Sequence, residues 1–522
     1  MLKRNETVAV IGAGVGGLAA AMRLAHAGLS VTVFERASAP GGKMRQVDSP
    51  AGPVDAGPTV LTLRPIFENL FRDVRAKLSD HVTLHEEPIL ARHWWPDGTT
   101  LDLFADPART ADALGHFGGV TAAREYAAFR AETARLFDAF DAPMMQSVAP
   151  SKARIAARVM AEPSLIPAIG TFETMATRLA RNFSDPRLRQ LFGRYATYVG
   201  GSPYAAPALL RLVAEAEARG VWRVAGGMHA LARAMEKVAT AGGAVFRYDT
   251  HIADLATRPD GTVRLTTAAG ETHIADRCVF NGDPRALTTG HLGAAATGAV
   301  PNGAVEPRSL SANVWSFAAT PTGADLVHHN VFFGHDPRTE FGPIAEGRLP
   351  EDPTLYVCAE DRGGPGPVPP LERFEIIMNA PPSNGHAEED PSTCRTRTFP
   401  VLASRGLTFS PEPPDTALTT PGGFARLFPG SLGSLYGRSP HGTMAAFARP
   451  TARTAIPGLY LAGGGAHPGA GIPMAALSGR HAAEAILTDL ASTSTSRRTA
   501  MRGGISTGSA TMAPAPSRSS PS

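Results

Sequence analysis

Apolar residues follow different periods in different stretches of this chain, and each change of period marks an element. Thr7–Ile11 is a short β-branched run, residues 12–17 are a glycine turn, residues 18–27 repeat with a helical period, and residues 29–35 read as strand again. That order predicts a βαβ unit over residues 7–36. From about residue 107 to 221 the period is helical, in Ala-, Arg- and Leu-rich runs broken at Pro150, Pro163, Pro186 and Pro203, which predicts a helical insertion. Short strand-like runs return at 245–251 and 263–267, and 278–280 leads into an Asn281-Gly282-Asp283-Pro284 turn; these runs are expected to rejoin the first sheet. Between about 286 and 450, strand-like pieces such as 355–359 and 374–378 alternate with Pro- and Gly-rich loops, the pattern of a second, mixed sheet. Residues 458–462 read as one more buried strand, followed by a glycine loop and a helix over 473–487. After Ser492 the composition turns to Ser, Thr, Gly, Pro and Ala with Arg497, Arg498, Arg502 and Arg518 and no acid, which predicts a disordered tail.

Length and charge narrow the classes. At 522 residues the chain exceeds an ordinary domain several-fold, so two or three subdomains with ample core are expected. Its 50 Lys and Arg against 47 Asp and Glu leave no electrostatic footprint for nucleic acid. Cys278, Cys358 and Cys394 are too few and too scattered for a disulfide framework or a metal site, and they suit a reducing cytoplasm. The glycine turn comes too early for a signal peptide to precede it. No run of about 18 apolar residues occurs, so no spanning helix is expected and membrane contact would be peripheral.

The glycines carry the chemistry. Gly12-Ala13-Gly14-Val15-Gly16-Gly17 follows a strand and opens a helix, the context in which such a run binds a dinucleotide. Gly12 permits the tight turn, Gly14 lets a pyrophosphate approach the backbone, Gly17 lets helix and strand pack, and the helix start offers unpaired N–H donors. Glu35 ends the next strand, where a carboxylate accepts from ribose hydroxyls and repels a 2'-phosphate. To this point NAD and FAD both remain open. Gly41-Gly42-Lys43 then resembles the turn of the two-dinucleotide-binding-domain flavoproteins, in which the basic residue meets the pyrophosphate. Val54-Asp55-Ala56-Gly57-Pro58-Thr59 resembles the stretch that passes beside their isoalloxazine ring. At the far end, Leu459-Tyr460-Leu461-Ala462 runs into Gly463-Gly464-Gly465-Ala466-His467-Pro468-Gly469-Ala470-Gly471-Ile472-Pro473, with proline suitably placed in the first turn of a helix. A helix start aimed at the flavin N1 and O2 edge stabilises the negative charge of the reduced ring.

These two ends, with Gly200-Gly201-Ser202-Pro203, Gly220-Val221-Trp222 and Gly226-Gly227-Met228, closely resemble the carotenoid desaturases of the phytoene desaturase family to about residue 490. The continuation Met474-Ala475-Ala476-Leu477-Ser478-Gly479-Arg480, with Gly57-Pro58-Thr59-Val60-Leu61-Thr62, is similar to the hydroxyneurosporene and methoxyneurosporene desaturases of purple phototrophs. The resemblance implies an α/β fold of the two-dinucleotide-binding-domain type with FAD bound at Gly12, Gly14, Gly17, Glu35, Gly42, Lys43, Gly57, Pro58, Thr59, Gly464, Gly465, Ile472 and Met474. It also implies 3,4-desaturation of an acyclic 1-hydroxy or 1-methoxy carotenoid, with oxygen or a quinone as terminal acceptor and peripheral attachment to the cytoplasmic face of the inner membrane. Alternatives on the same scaffold are a phytoene desaturase, a carotene isomerase, an amine oxidase and a non-catalytic flavin-stabilised carotenoid carrier. No catalytic side chain and no metal is expected. The C-terminal loop has no cysteine for a covalent flavin link, and His467 is expected to position that loop.

The expected organisation is an FAD-binding domain from 1–106 and 222–285 completed by 451–490, a helical insertion over 107–221, a substrate domain over 286–450 and a tail over 491–522. In the insertion, Lys152, Arg154, Ile155, Arg158, Val159 and Met160, continuing to Leu165, Ile166 and Ile169, set basic residues beside apolar ones and form the candidate membrane-docking segment.

Overall fold

The computed structural model describes residues 6–502 except 259, 365 and 384–389. Thr7–Ile11 is the central strand of a five-stranded parallel sheet, ordered Leu459–Leu461, Arg277–Phe280, Thr7–Ile11, Ser30–Phe34, Val245–Arg247. A parallel sheet is covered on both faces, so its strands need apolar side chains in both directions. Val8, Val10, Val31 and Val33 enter one core, while Ala9, Phe34, Cys278 and Phe280 enter another. The first core lies under the helices Val15–His26, Met228–Ala241 and Ile472–Arg502. An antiparallel meander of Ile252–Thr257, Val263–Thr267 and Thr272–Ala275 covers the second.

That meander corrects one expectation. Residues 245–247 and 277–280 do join the parallel sheet, but Val263–Thr267 does not. Val263 and Leu265 are buried while Arg264 between them is exposed. A strand with one wet face suits an antiparallel meander and not a sheet covered on both sides.

The second sheet has eight strands. Its order is Leu407–Ser410, Ser311–Gly323, Glu372–Ala380, Leu355–Ala359, His329–Phe332, Ile89–Trp94, Thr100–Phe104, with Leu418–Thr419 also paired to Ser311–Gly323. Only His329–Phe332 and Ile89–Trp94 pair in parallel, so the sheet is mixed. Two of its strands, Ile89–Trp94 and Thr100–Phe104, precede the helical region in the chain. One face is a dry core of Trp315, Phe317, Leu355, Val357, Phe374 and Ile376.

The helical region opens where its sequence offers caps. Asp106 accepts from the Ala108 amide ahead of Pro107–Phe140, and Asp185 accepts from Arg187 ahead of Pro186–Gly193, each with proline in the first turn. The last helix, Ile472–Arg502, runs past the end at 487 that its apolar period suggests, and past Ser492. Neither proline nor glycine occurs from 481 to 502, so nothing local stops it before Gly503. The rest of the tail, 503–522, lies outside the described residues. Among the described residues no helix is long and apolar enough to cross a membrane.

Helices Val15–His26 and Ile472–Arg502 touch backbone to backbone. A Cβ on Gly479 would overlap the Gly16 carbonyl oxygen and stand 2.9 Å from the Ala19 methyl. Gly479→Val is therefore expected to prise the helices apart and cost about 1–3 kcal/mol by overpacking. Thermal unfolding of the purified variant checks this, and an unchanged Tm would show that the contact has room to spare.

Candidate functional site

The glycine turn adopts the form its residue types permit. Gly12 has φ of 99°, a left-handed conformation that favours glycine. Gly14 caps Val15–His26, and a Cβ there would meet the Asn281 amide nitrogen at 3.0 Å. Gly17 lies inside the turn, where a Cβ would overlap the Gly12 carbonyl. The second glycine pair rests on this turn: the Gly41 amide donates to Ala13 O at 2.9 Å, and a Cβ on Gly42 would stand 3.1 Å from the Gly14 Cα. Glu35 is buried and binds the two loops together, its Oε2 accepting from the Ala13 amide at 2.7 Å and its Oε1 from the Ala37 amide at 2.9 Å.

The C-terminal glycine loop closes against the same turn. The Gly463 amide donates to Ser478 Oγ at 2.7 Å, and a Cβ on Gly16 would stand 2.5 Å from that amide nitrogen. Asn281 fills the space between the loops, its Nδ2 donating to Gly12 O at 3.1 Å. Arg449 is buried beside them and donates to three carbonyls, Gly464 at 2.9 Å, Tyr436 at 2.9 Å and Arg438 at 2.8 Å. Burial draws its pKa down to about 10 against the pull of Asp283. His467 Nε2 pairs with Ser147 O at 2.9 Å and its ring stacks on His481, so it joins the loop to the helical region.

Between these loops and the second sheet lies a cavity of about 1130 Å³. On its wall stand Gly12, Gly14, Glu35, Gly42, Lys43, Gly57, Pro58, Gly464, Gly465 and Ile472. Three of the sequence candidates stand elsewhere. Gly17 packs within its own turn, Thr59 Oγ1 pairs with the Tyr356 hydroxyl at 2.6 Å, and Met474 packs against the helical core. Lys43 is on the wall, but its ammonium donates to Leu435 O at 2.5 Å and lies 5.4 Å over the Phe428 ring. Burial lowers its pKa to about 8 against the pull of Asp283. Gly57 is glycine because a Cβ would overlap the Lys43 carbonyl.

Sequence reasoning assigned no role to Asn281, Asp55 or Arg449. Asn281 reads along the chain only as a turn residue before Gly282, and Arg449 follows an apolar stretch with no motif around it. Asp55 accepts from the Met228 amide at the start of Met228–Ala241, while burial raises its pKa and that amide opposes the rise. Its only signal was its place in the stretch assigned to the ring. The residues present fit a flavin dinucleotide: a glycine-floored turn that a Cβ would fill, two helix starts on one wall, and volume for an extended cofactor.

Residues 15–311 match the family described as flavin containing amine oxidoreductase. Over 488 residues the chain is 56% identical to the hydroxyneurosporene desaturase of Cereibacter sphaeroides, covering 93% of this chain and 98% of that one. Its identity to the hydroxyneurosporene desaturase of Rhodobacter capsulatus is 52%, with 93% and 99% covered. Among solved structures, a putrescine oxidase variant superposes with a TM-score of 0.60 at 13% identity, over 93% of this chain and 99% of the other. At that identity the likeness concerns the fold, a dinucleotide-binding parallel sheet joined to a mixed-sheet domain. By its match to the family and its near-full-length identity to these relatives, the chain belongs to the flavin-containing amine oxidoreductases and, within them, to the family of the bacterial hydroxyneurosporene desaturases.

Proposed function

We propose that this chain is an FAD-dependent desaturase that introduces the C3–C4 double bond into acyclic 1-hydroxy or 1-methoxy carotenoids. The observation that carries the reading is the 56% identity, sustained over 98% of the relative's length, to a hydroxyneurosporene desaturase. When bound, FAD would supply the acceptor for the hydride lost from one carbon of the bond, the proton on the other carbon passing to water or a nearby base, and oxygen or a quinone would later take the electrons. The protein's part is to bind, orient and keep water out. The Gly14 backbone and the start of Val15–His26 offer N–H groups to the pyrophosphate, and Glu35, which accepts one amide on each oxygen, keeps further lone pairs for a ribose hydroxyl. The start of Ile472–Arg502 stabilises negative charge beside it. Val314, Ile377 and Leu418 give the cavity an apolar wall against which a flat polyene can lie.

A forty-carbon polyene is insoluble in water, so an enzyme with no spanning helix among its described residues takes it from a bilayer by lying on the surface. The side chains of the docking segment divide in two. Leu165 is buried, Ile155, Val159 and Ile169 pack inward, and Arg158 pairs with Glu162 at 2.7 Å. Met160 at 72% exposure, Ile166 at 57% and Phe172 at 96% face solvent. Thr443 Oγ1 donates to Thr171 O at 3.0 Å, and the next residues, Met444 and Phe172, are both exposed. With Lys152 and Arg154 exposed nearby, this patch suits the cytoplasmic face of an anionic inner membrane.

Anaerobic mixing of the FAD-loaded protein with 1-hydroxyneurosporene is expected to bleach the flavin and give a product absorbing at longer wavelength. Isomerisation without a new double bond, or a flavin that stays oxidised, would overturn the reading. Gly14→Val is expected to abolish FAD retention, because a branched side chain occupies the pyrophosphate's approach; a purified variant with full flavin absorbance would remove Gly14 from the site. Changing Met160, Ile166 and Phe172 together to Ser is expected to reduce co-sedimentation with anionic liposomes several-fold at unchanged flavin content. Equal binding by variant and wild type would discard this patch as the docking surface.

A further inference from the structure

Four strands of the second sheet carry one continuous row of polar side chains on the face opposite the dry core. His329 opposes Cys358, Cys358 opposes Glu375, and Glu375 opposes Ser316. Directly opposed residues share a face with Cβ atoms about 4.5–5.5 Å apart. All four are buried, and Glu375 is 0% exposed. Glu375, with Val314 and Ile377, stands on the wall of the cavity that also holds Gly57 and Pro58.

Buried polar atoms are nearly always paired, because desolvating one without a partner costs free energy. Neither carboxyl oxygen of Glu375 has a hydrogen-bond partner, and neither has Ser316 Oγ. The groups around them are each partly occupied, while Arg45 Nε, Glu360 Oε1 and His329 Nε2 also lack hydrogen-bond partners. Asp55 accepts from the Met228 amide, Glu360 lies 3.6 Å from Arg373, and Arg45 donates to Thr419 Oγ1 at 2.7 Å. His329 Nδ1 pairs with the Tyr356 hydroxyl at 2.7 Å, and Cys358 Sγ lies 3.7 Å from His328 Nε2. Burial, with Glu360 and Asp55 adding to it and Arg45 opposing, pushes the Glu375 carboxyl well above the usual carboxylate range. A buried carboxyl without a partner on the cavity wall is completed by a polar group of whatever fills the cavity.

A carotenoid bearing oxygen on C1 has a single methylene between that carbon and C3. When the C3–C4 bond is in place for desaturation, the oxygen must lie within the same cavity. We propose that Glu375 is the end-group subsite, hydrogen-bonding the oxygen on C1 of the carotenoid and so selecting hydroxylated or methoxylated ends over unsubstituted ones. The proposal rests on the desaturase reading above. An unsubstituted end would leave the Glu375 carboxyl unpaired in a filled, dry site, which is how a site built for a hydroxyl rejects its deoxy analogue.

The test compares FAD-loaded wild type, Glu375→Gln and Glu375→Leu on 1-hydroxyneurosporene and neurosporene in the same detergent, with flavin content measured for each protein. The ratio of kcat/KM for the hydroxylated over the unsubstituted carotenoid is expected to fall at least about tenfold in Glu375→Leu. Glu375→Gln, which still donates and accepts, is expected to keep most of the ratio. The same order is expected in the carotenoid Kd values of the dithionite-reduced proteins, in which no turnover occurs. An unchanged ratio in Glu375→Leu, whether both rates fall or neither does, would overturn the subsite, and loss of flavin from that variant would assign Glu375 to the cofactor instead. A wild type that desaturates neither carotenoid would overturn the desaturase reading and the subsite with it.

Discussion

Around Asn281, three stretches of main chain meet with no side chains of their own between them. Gly12 offers its carbonyl to the Asn281 amide, Gly16 lies against Gly463, and Gly479 lies against the Gly16 carbonyl. Backbone approaches this close exist only where Cβ atoms are missing. Because the strands Thr7–Ile11, Arg277–Phe280 and Leu459–Leu461 are neighbours and parallel, the loops leaving them emerge on one edge of the sheet. The helices that follow the first and last of these loops pack together, with both their starts at the cavity. Two positive helix ends thus converge where a bound anion is best stabilised.

Two buried cations, both drawn by Asp283, then fasten the loops around the cavity through main-chain carbonyls. Lys43 donates to the Leu435 carbonyl, and Arg449 to the carbonyls of Gly464, Tyr436 and Arg438. Each is held by loop backbone, and in each case burial lowers the pKa, which records the cost of keeping the charge there. The cost is offset because several loop carbonyls, otherwise stranded away from water, gain a donor. Segment 435–438 thereby becomes a fixed link between the Gly41-Gly42-Lys43 turn and the C-terminal glycine loop.

The second sheet divides its labour by face. Phe317, Phe374 and Ile376 on one side form a core that tolerates no water, while Glu375 and Ile377, alternating with them on the same strand, look the other way into the cavity. Strand periodicity imposes the division, since successive side chains alternate in direction. A rigid apolar layer behind the wall keeps Glu375 and its neighbours in register with the cofactor end of the cavity. The helical region divides likewise, with Leu165 turned to its core while Ile166 and Phe172 are left for a surface outside the molecule.

What the sequence by itself determined is the chemistry that depends on local backbone. The Gly12 to Gly17 turn, Glu35 at the end of its strand, the Gly41-Gly42 pair and the glycine loop before Ile472 are all legible, because left-handed φ values, close approach and helix starts demand particular residue types at particular spacings. Strand pieces were legible where their apolar runs were unbroken, as at Leu355–Ala359. Their partners were not. Val263–Thr267 carries a strand pattern that does not say which sheet it joins, and Asn281, Arg449 and the row from His329 to Ser316 acquire their roles only from neighbours brought in by strand order and register. Lys43 was read as meeting the pyrophosphate and stands on the cavity wall, while its ammonium donates to the carbonyl of residue 435. Hydrogen bonds to distant main chain leave no trace in local spacing, because any residue offers the same carbonyl. Tertiary structure alone decides which one is within reach.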